Sequence, residues 1–326
     1  MKIDRREFLH LAAGAITLPA VSRIARAQTY PSRPVRMIVP FAAGGPTDTF
    51  ARLIAQLLSE RLGKQFYVEN ITGAGGNTGI GQAAKANPDG NTILIAYSSY
   101  VTNPTLYTKI PYDPYKDFDP VTLAVTSTNV FSVNSSVPAK TVNDLVDLIR
   151  ASAGKYSYAH GGVGTPSHLT GEQFRLSLGL DLVPVPYNGG GPMSASVVAG
   201  HTQIAFNPLA PALPQIKAGN IRALTVTSKA RSESLPNVPT MMESGYPNIA
   251  GDTWVGVLVP AGTPKEIIAL LNREIINSVT HPNMKERLAT LGFEPVGDTP
   301  EEFAKQIKFE IETWGKVIRA ANIRLE

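Results

Sequence analysis

The chain has 326 residues, 43% hydrophobic and 17% charged, with no cysteine and a formal net charge of +4. That length and composition suit two well-cored globular domains and exclude a disordered chain. The missing cysteines exclude disulfides, thiolate metal sites and cysteine nucleophiles, and no basic stripe interleaved with aromatics supports nucleic-acid binding.

At the start, Asp4-Arg5-Arg6-Glu7-Phe8-Leu9-His10 precedes an apolar stretch over 9–21, and Ala25-Arg26-Ala27 is an A-x-A cleavage box. The pattern predicts a twin-arginine-type signal peptide over 1–27, cleaved after Ala27, and export to the periplasm. Its removal takes the net charge to +1, so the basic character of the whole sequence says little about partners. The stretch is short for a membrane span, and no later run of about 18 apolar residues follows.

Apolar runs then alternate with amphipathic segments, which predicts parallel α/β units. Strands are expected over 35–41, 66–70 and 92–96. A helix over 48–62 places Ala51, Ile54, Leu58 and Leu62 on one face and stops at Gly63. A second, over 77–86, ends at the turn Asn87-Pro88-Asp89-Gly90. Further on, helices are expected over 142–153, 167–178, 192–199 and 209–218, with Thr141 and Asp144 as a capping box and Thr165-Pro166 as N-cap and N1. Strands fall over 156–159, 182–186, 202–207, 223–226 and 254–259. Thr263-Pro264 opens a helix to about residue 279, and Thr299-Pro300-Glu301-Glu302 opens the last one.

Segments 120–133 and 224–229 lack helical periodicity and read as extended crossings between domains, with a third near 252–257. The expected division is a first domain over 28–125 plus 230–326 and an inserted second domain over 126–229, with a ligand cleft between them.

Four charge-poor, glycine-rich turns each follow an apolar run and precede a helix. Turn one is Phe41-Ala42-Ala43-Gly44-Gly45-Pro46-Thr47-Asp48. Turn two is Gly73-Ala74-Gly75-Gly76-Asn77-Thr78-Gly79. Turn three is Gly161-Gly162-Val163-Gly164-Thr165-Pro166-Ser167-His168, and turn four is Asn188-Gly189-Gly190-Gly191-Pro192. Glycine lets amides approach a ligand, and a helix start offers unpaired donors with partial positive charge. Without Lys or Arg in the turns, the pattern predicts an anion held by main chain.

Catalytic patterns fail. Gly79-Ile80-Gly81-Gln82-Ala83-Ala84 fits a loose dinucleotide pattern but lacks the acid about 20 residues on, and Gln82-Ala83 stand where a phosphate loop needs Lys and Ser/Thr. There is no H-E-x-x-H and no G-x-S-x-G. No metal, cofactor or catalytic set is expected. His160 and His168 flank turn three as cleft-lining donors or solvent-facing first-turn residues. Asp48 stabilises its helix start and could also receive an amine or hydroxyl from a solute. Tyr97, Tyr100, Tyr187 and Trp254 fall near the cleft edges, as core or as ligand contacts.

Val39-Pro40 leading into turn one with Ala51-Arg52, turn two followed by Pro88-Asp89-Gly90, turn three through Leu169, and Tyr187 with turn four occur in an order that resembles Bug-type extracytoplasmic solute receptors of tripartite tricarboxylate transporters. The order continues through Ala223-Leu224-Thr225-Val226-Thr227-Ser228, Leu235-Pro236-Asn237-Val238-Pro239-Thr240, Trp254 and Pro260-Ala261-Gly262-Thr263-Pro264. The resemblance covers nearly all of the chain after residue 27. It implies a periplasmic-binding-protein-like α/β fold, two domains joined by hinge strands around a central cleft, that closes on a carboxylated solute. One carboxylate would be held by main chain and ordered waters at turns one and two, here Ala43, Gly44, Asp48 and Thr78, with Phe41 of turn one as a further ligand-binding candidate. The far side would be supplied by Thr126, Gly164, Thr165, His168 and Tyr187.

The chain departs from the resemblance at Asn207-Pro208, where many members have an acid and then Asn. His160 stands where small residues are usual, and Ser98-Ser99-Tyr100 replaces a stretch of small residues and His. These departing positions, Ser98 to Tyr100, His160 and Asn207-Pro208, would face the variable end of the solute, and Tyr97 near the cleft edge is a further ligand-binding candidate.

The expected function is a monomeric periplasmic receptor for a small organic carboxylate, without cofactor, that delivers it to integral-membrane transporter subunits. A solute sensor for a signalling partner and an exported enzyme are the alternatives.

Overall fold

The computed structural model describes residues 30–187, 190–249 and 251–325, with Ala210 as backbone alone. The export segment over 1–27 and Asn188-Gly189 of turn four lie outside the described residues.

Strand β1 (Val35–Val39) leads through turn one into α1 (Pro46–Leu62), then β2 (Phe66–Asn70), a 3-10 turn (Ala74–Gly76), α2 (Asn77–Ala84), β3 (Thr92–Tyr97) and α3 (Ser99–Leu106). β4 (Phe118–Ser127) and β5 (Asn129–Asn134) follow with only Thr128 between them. Next come α4 (Val142–Ala151), β6 (Ser157–His160), α5 (Pro166–Ser177), β7 (Val183–Pro186), α6 (Gly190–Val198), β8 (Ile204–Pro208), α7 (Leu209–Lys217) and β9 (Ile221–Val226). The chain closes with β10 (Thr253–Pro260), α8 (Lys265–Val279), α9 (Pro282–Thr290), β11 (Glu294–Pro295) and α10 (Pro300–Ala320).

The strands form two mixed sheets, ordered β11-β4-β10-β3-β1-β2 and β7-β6-β8-β5-β9. In the first, β1 is parallel to β2 and β3, and β10 is antiparallel to β3 and β4. In the second, β6 is parallel to β7 and β8, and β5 is antiparallel to β8 and β9. This is a two-domain α/β fold.

Successive strand residues point to opposite faces, so each sheet carries two apolar layers. Val35, Met37 and Val39 face α1, α8 and α9, while Ile38 and Leu94 face α2, α3 and α10. In the second sheet Phe131, Val133 and Phe206 face α4 and α5, while Val130 and Ala205 face α6 and α7. Leu169 of α5 is buried in the layer of α3 and α10, which ties the two lobes together.

Several expectations shift. Segment 120–133 is two paired strands, β4 and β5, and only Thr128 crosses. The segment after β9, expected in the first domain, packs on the second sheet: Met241 and Ile249 lie in its core, and Met241 N–H donates to Val226 O at 3.0 Å. Helices α3 and α9 are additional. α3 contains Pro104 and no regular apolar stripe, yet Tyr100, Val101 and Leu106 are buried, so packing overrides propensity. The boxes at Thr141–Asp144 and Thr299–Glu302 form in both directions. Thr165, expected to cap α5 by its side chain, instead donates to Gly162 O at 2.7 Å.

Candidate ligand cleft between the lobes

Strand direction places the glycine turns. The carboxyl ends of β1, β2, β3 and β4 share one edge of the first sheet, with Val255 paired to Tyr97 and Trp254 to Thr126. The carboxyl ends of β6, β7, β8 and β9 share one edge of the second, where Asn129 pairs with Pro208 and Val130 with Val226. Because Thr128 alone separates β4 from β5, the two carboxyl edges meet there. Such edges are where open α/β sheets bind ligands.

Turns one, two and three form a contiguous series. A Cβ on Gly76 would sit 3.3 Å from Pro40 and 3.5 Å from the Phe41 ring. One on Gly75 would meet the Tyr107 hydroxyl at 2.7 Å, and one on Gly164 would meet Leu106 at 3.0 Å. Tyr107 and Leu106, at the end of α3, thus bridge turn two in one lobe and turn three in the other. Sequence reasoning missed both residues, because α3 carries no periodic signal. Asn103 supports the bridge, donating to Gly75 O at 3.0 Å and Asn77 Oδ1 at 2.8 Å. Turn two also holds Ala74 at φ 47°, a left-handed conformation rare outside glycine.

In turn one, Ala43 and Gly44 are exposed and Asp48 is buried. The Asp48 carboxylate accepts from Gly44 N–H, Arg52 Nε and Asn70 Nδ2, each at 2.9 Å. Burial would raise this carboxyl, but the bonds from Arg52, Gly44 and Asn70 outweigh it and hold it below the ordinary range. Asp48 is therefore committed to shaping turn one, and its Gly44 amide is consumed. Thr78 is exposed at the start of α2. Phe41 and Tyr97 meet edge to face at 5.5 Å. Ser98 is buried and accepts weakly from Trp254 N–H at 3.4 Å.

Turn three is stapled by its own helix. Gly161 N–H donates to Ser167 Oγ and Gly164 N–H to His168 Nδ1, both at 3.0 Å. His160 Nδ1–H donates to Gly162 O at 3.0 Å. The two imidazoles stack, centroids 4.1 Å apart and planes 20° apart. Burial lowers both: His168 falls to about 4, helped by its neighbour His160, while for His160 burial outweighs the raising effects of Gly162 and Glu172. Among the described residues no group of three or more His, Cys, Asp or Glu side chains is placed to hold a metal ion. His168 also borders a groove of about 330 Å³ between α5 and the segment after α10.

The remaining candidates divide. Thr126 and Tyr187 are half-buried at the two edges; the Tyr187 hydroxyl bonds Ser196 Oγ. Asn207 is fully buried, donating to Ser132 Oγ at 2.9 Å and accepting from Ser194 Oγ at 3.0 Å. Tyr100 and Trp254 are core residues: Tyr100 OH donates to Pro114 O at 2.8 Å, and Trp254 packs on Phe303 at 5.3 Å while donating to Glu310 at 2.8 Å.

A family model described as "Tripartite tricarboxylate transporter family receptor" matches residues 50–323. The chain is 35% identical over 302 residues to Protein BugT of Bordetella pertussis, covering 92% of this chain and 93% of that one. Among solved structures, one described as a periplasmic transporter is 40% identical with a TM-score of 0.74, covering 91% of this chain and 100% of its own. An R. palustris protein solved with adipate is 34% identical with a TM-score of 0.74, covering 90% of this chain and 99% of its own.

Proposed function

Because the chain belongs to the tripartite tricarboxylate transporter receptor family, we propose that it is a periplasmic receptor, not an enzyme, that captures a small organic carboxylate between its lobes and delivers it to membrane transporter subunits. The observation that carries this reading is the contiguity of three glycine turns from two facing sheet edges, linked by Leu106 and Tyr107. An adipate-bound relative supports a carboxylate as ligand.

In this reading Phe41, Ala43, Gly44, Thr78, Tyr97 and Ser98 form the first wall, with Asp48 holding turn one in shape. Thr126, His160, Gly164, Thr165, His168, Tyr187 and Asn207 form or support the second. Among the described residues the first lobe comprises 30–127 and about 253–325, and the second runs from 129 to about 249, extended past 229 because Met241 and Ile249 pack there. Export follows the twin-arginine segment, and the receptor acts as a monomer. No helix of the described residues is long and apolar enough to cross a membrane.

The energetics require several contacts at once. One helix start contributes about 0.3–1 kcal/mol, whereas micromolar affinity needs about 8 kcal/mol. Amides of turns one and two, bridging waters and apolar contact with Phe41 and Tyr97 must act together. Closure of the lobes then presents a shape that a membrane partner reads.

The test is thermal unfolding of the purified chain against a broad panel of small carboxylates. A ligand at a hundred times its Kd adds about 2.7 kcal/mol and raises the midpoint. Silence across the panel overturns the reading.

A further inference from the structure

The groove of about 330 Å³ between α5 and the segment after α10 takes its walls from both lobes. His168, Glu172 and Arg175, one face of α5, line it from the second lobe, and Ile323 and Arg324 line it from the first. No residue of turn one or turn two lines it, so it is separate from the carboxylate cradle of the cleft. The segment that carries Arg324 is pinned on either side. Ile323 is buried and its N–H donates to Ile318 O at 3.1 Å, while Leu325 N–H donates to Leu106 O at 2.8 Å.

Two guanidiniums face this space from different lobes. Arg175 grips Glu172 through Nε at 3.1 Å and Nη2 at 2.5 Å, which leaves its Nη1 donors unused. Glu172 is further occupied by the Tyr158 hydroxyl at 2.7 Å. Arg324 is exposed and makes no hydrogen bond or ion pair among the described residues. Burial keeps His168 neutral at pH 7, and Asp181, which also acts on Arg175, stands outside the lining. Two cations against the one carboxylate of Glu172 leave the described lining with a net charge of +1. Like charges held towards one space repel, and an anion between them replaces that repulsion with two attractions. Beside the charges, Val163, which is 51% exposed, Pro184 and Ile323 offer apolar surface.

We propose that this groove is a second ligand site that takes a small monoanionic carboxylate, held between Arg175 and Arg324 with its hydrocarbon chain against Val163, Pro184 and Ile323. Guanidinium matches a carboxylate with paired N–H donors, the net charge of the lining balances one negative charge, and the apolar wall favours a chain over a bare inorganic ion. Because each lobe supplies one guanidinium, the occupant ties α5 to the segment after α10.

The test is amide NMR of the whole purified chain titrated with butyrate at pH 7.5, with sodium chloride at matched ionic strength as the control. Butyrate should shift the amides of residues 322–325 saturably, and chloride should not. Acetate, with less chain to bury, should bind more weakly at the same amides. Arg324→Gln should weaken butyrate at the groove about tenfold while the unfolding midpoint without ligand stays unchanged; the comparison of butyrate, acetate and chloride on the unaltered chain stands without the variant. Equal shifts with chloride mean screening alone and overturn the proposal, as does an Arg324→Gln protein that binds butyrate at residues 322–325 as well as the unaltered chain. Amides of Gly44 and Thr78 report the cleft separately, so the groove and the receptor reading can each fail alone.

Discussion

Asp48 shows what a single residue does at this site. Its position in the first helical turn reads in sequence as a helix-stabilising acid. The structure assigns it three donors, two of which, Gly44 N–H and Asn70 Nδ2, belong to the turn and the neighbouring strand. Asp48→Ala should lower stability by about 1–3 kcal/mol at pH 7, because buried donors lose their acceptor. Since the folded carboxyl titrates below its unfolded value near 3.9, its contribution is present above that pH and disappears as pH falls through the folded value. Urea unfolding at pH 7 and pH 3 checks this: the gap between the two proteins should be wide at the first and small at the second. Turn one's chemistry was legible because Gly, Pro and Asp have strong local preferences. The stapling of turn three was not, since His168 bonding back to Gly164 depends on a rotamer that no spacing specifies.

At the scale of the element, the turns work because helices pack closely behind them. A Cβ at Gly79 would lie 2.6 Å from Ile71 O and 3.0 Å from Pro40 Cα, both backbone atoms that cannot swing aside. Gly79→Ala should therefore push α2 away from β1 and weaken both stability and carboxylate binding, read as a lower unfolding midpoint and a smaller ligand-induced shift. Thr299→Ala is the contrasting case. It removes the reciprocal cap of α10, which costs about 1 kcal/mol or about 2–4 °C in midpoint, with little effect on ligand affinity. Helices opened by such boxes were legible residue by residue. α3 was not, because its burial comes from neighbours on α10 and from the Tyr112 and Phe118 rings, which stand 5.5 and 5.9 Å from Tyr100.

For the whole molecule, the crossings decide how the lobes relate. Asn129 N–H donates to Thr227 Oγ1 at 3.1 Å, Thr227 N–H donates to Asn129 O at 2.9 Å, and the Thr227 hydroxyl bonds the Asp252 carboxyl, so both crossings are stitched together. Burial raises Asp252 to about 7 against the lowering bond from Thr227, with Glu294 and Glu310 adding repulsion. The sign is opposite to that of Asp48: the folded state holds a proton that the unfolded chain has lost above about pH 4. This contribution to stability falls as pH rises from about 4 to 7 and then levels. Asp252→Asn should flatten that slope, measured as unfolding midpoints between pH 5 and pH 8; an unchanged slope would show that Asp252 is not the group responsible.

The sequence by itself determined the alternation of strands and helices, the four turns and their lack of cations, and the ordered motifs that resemble solute receptors. These are local properties, set by side-chain period and by the φ that glycine permits. Only the tertiary structure decided that Thr128 alone joins β4 to β5, that residues 230–249 pack on the second lobe, that Leu106 and Tyr107 bridge the turns, and that the His160 and His168 rings stack. Each of those depends on contacts between residues distant in the chain, whose geometry emerges when both sheets bury their faces together.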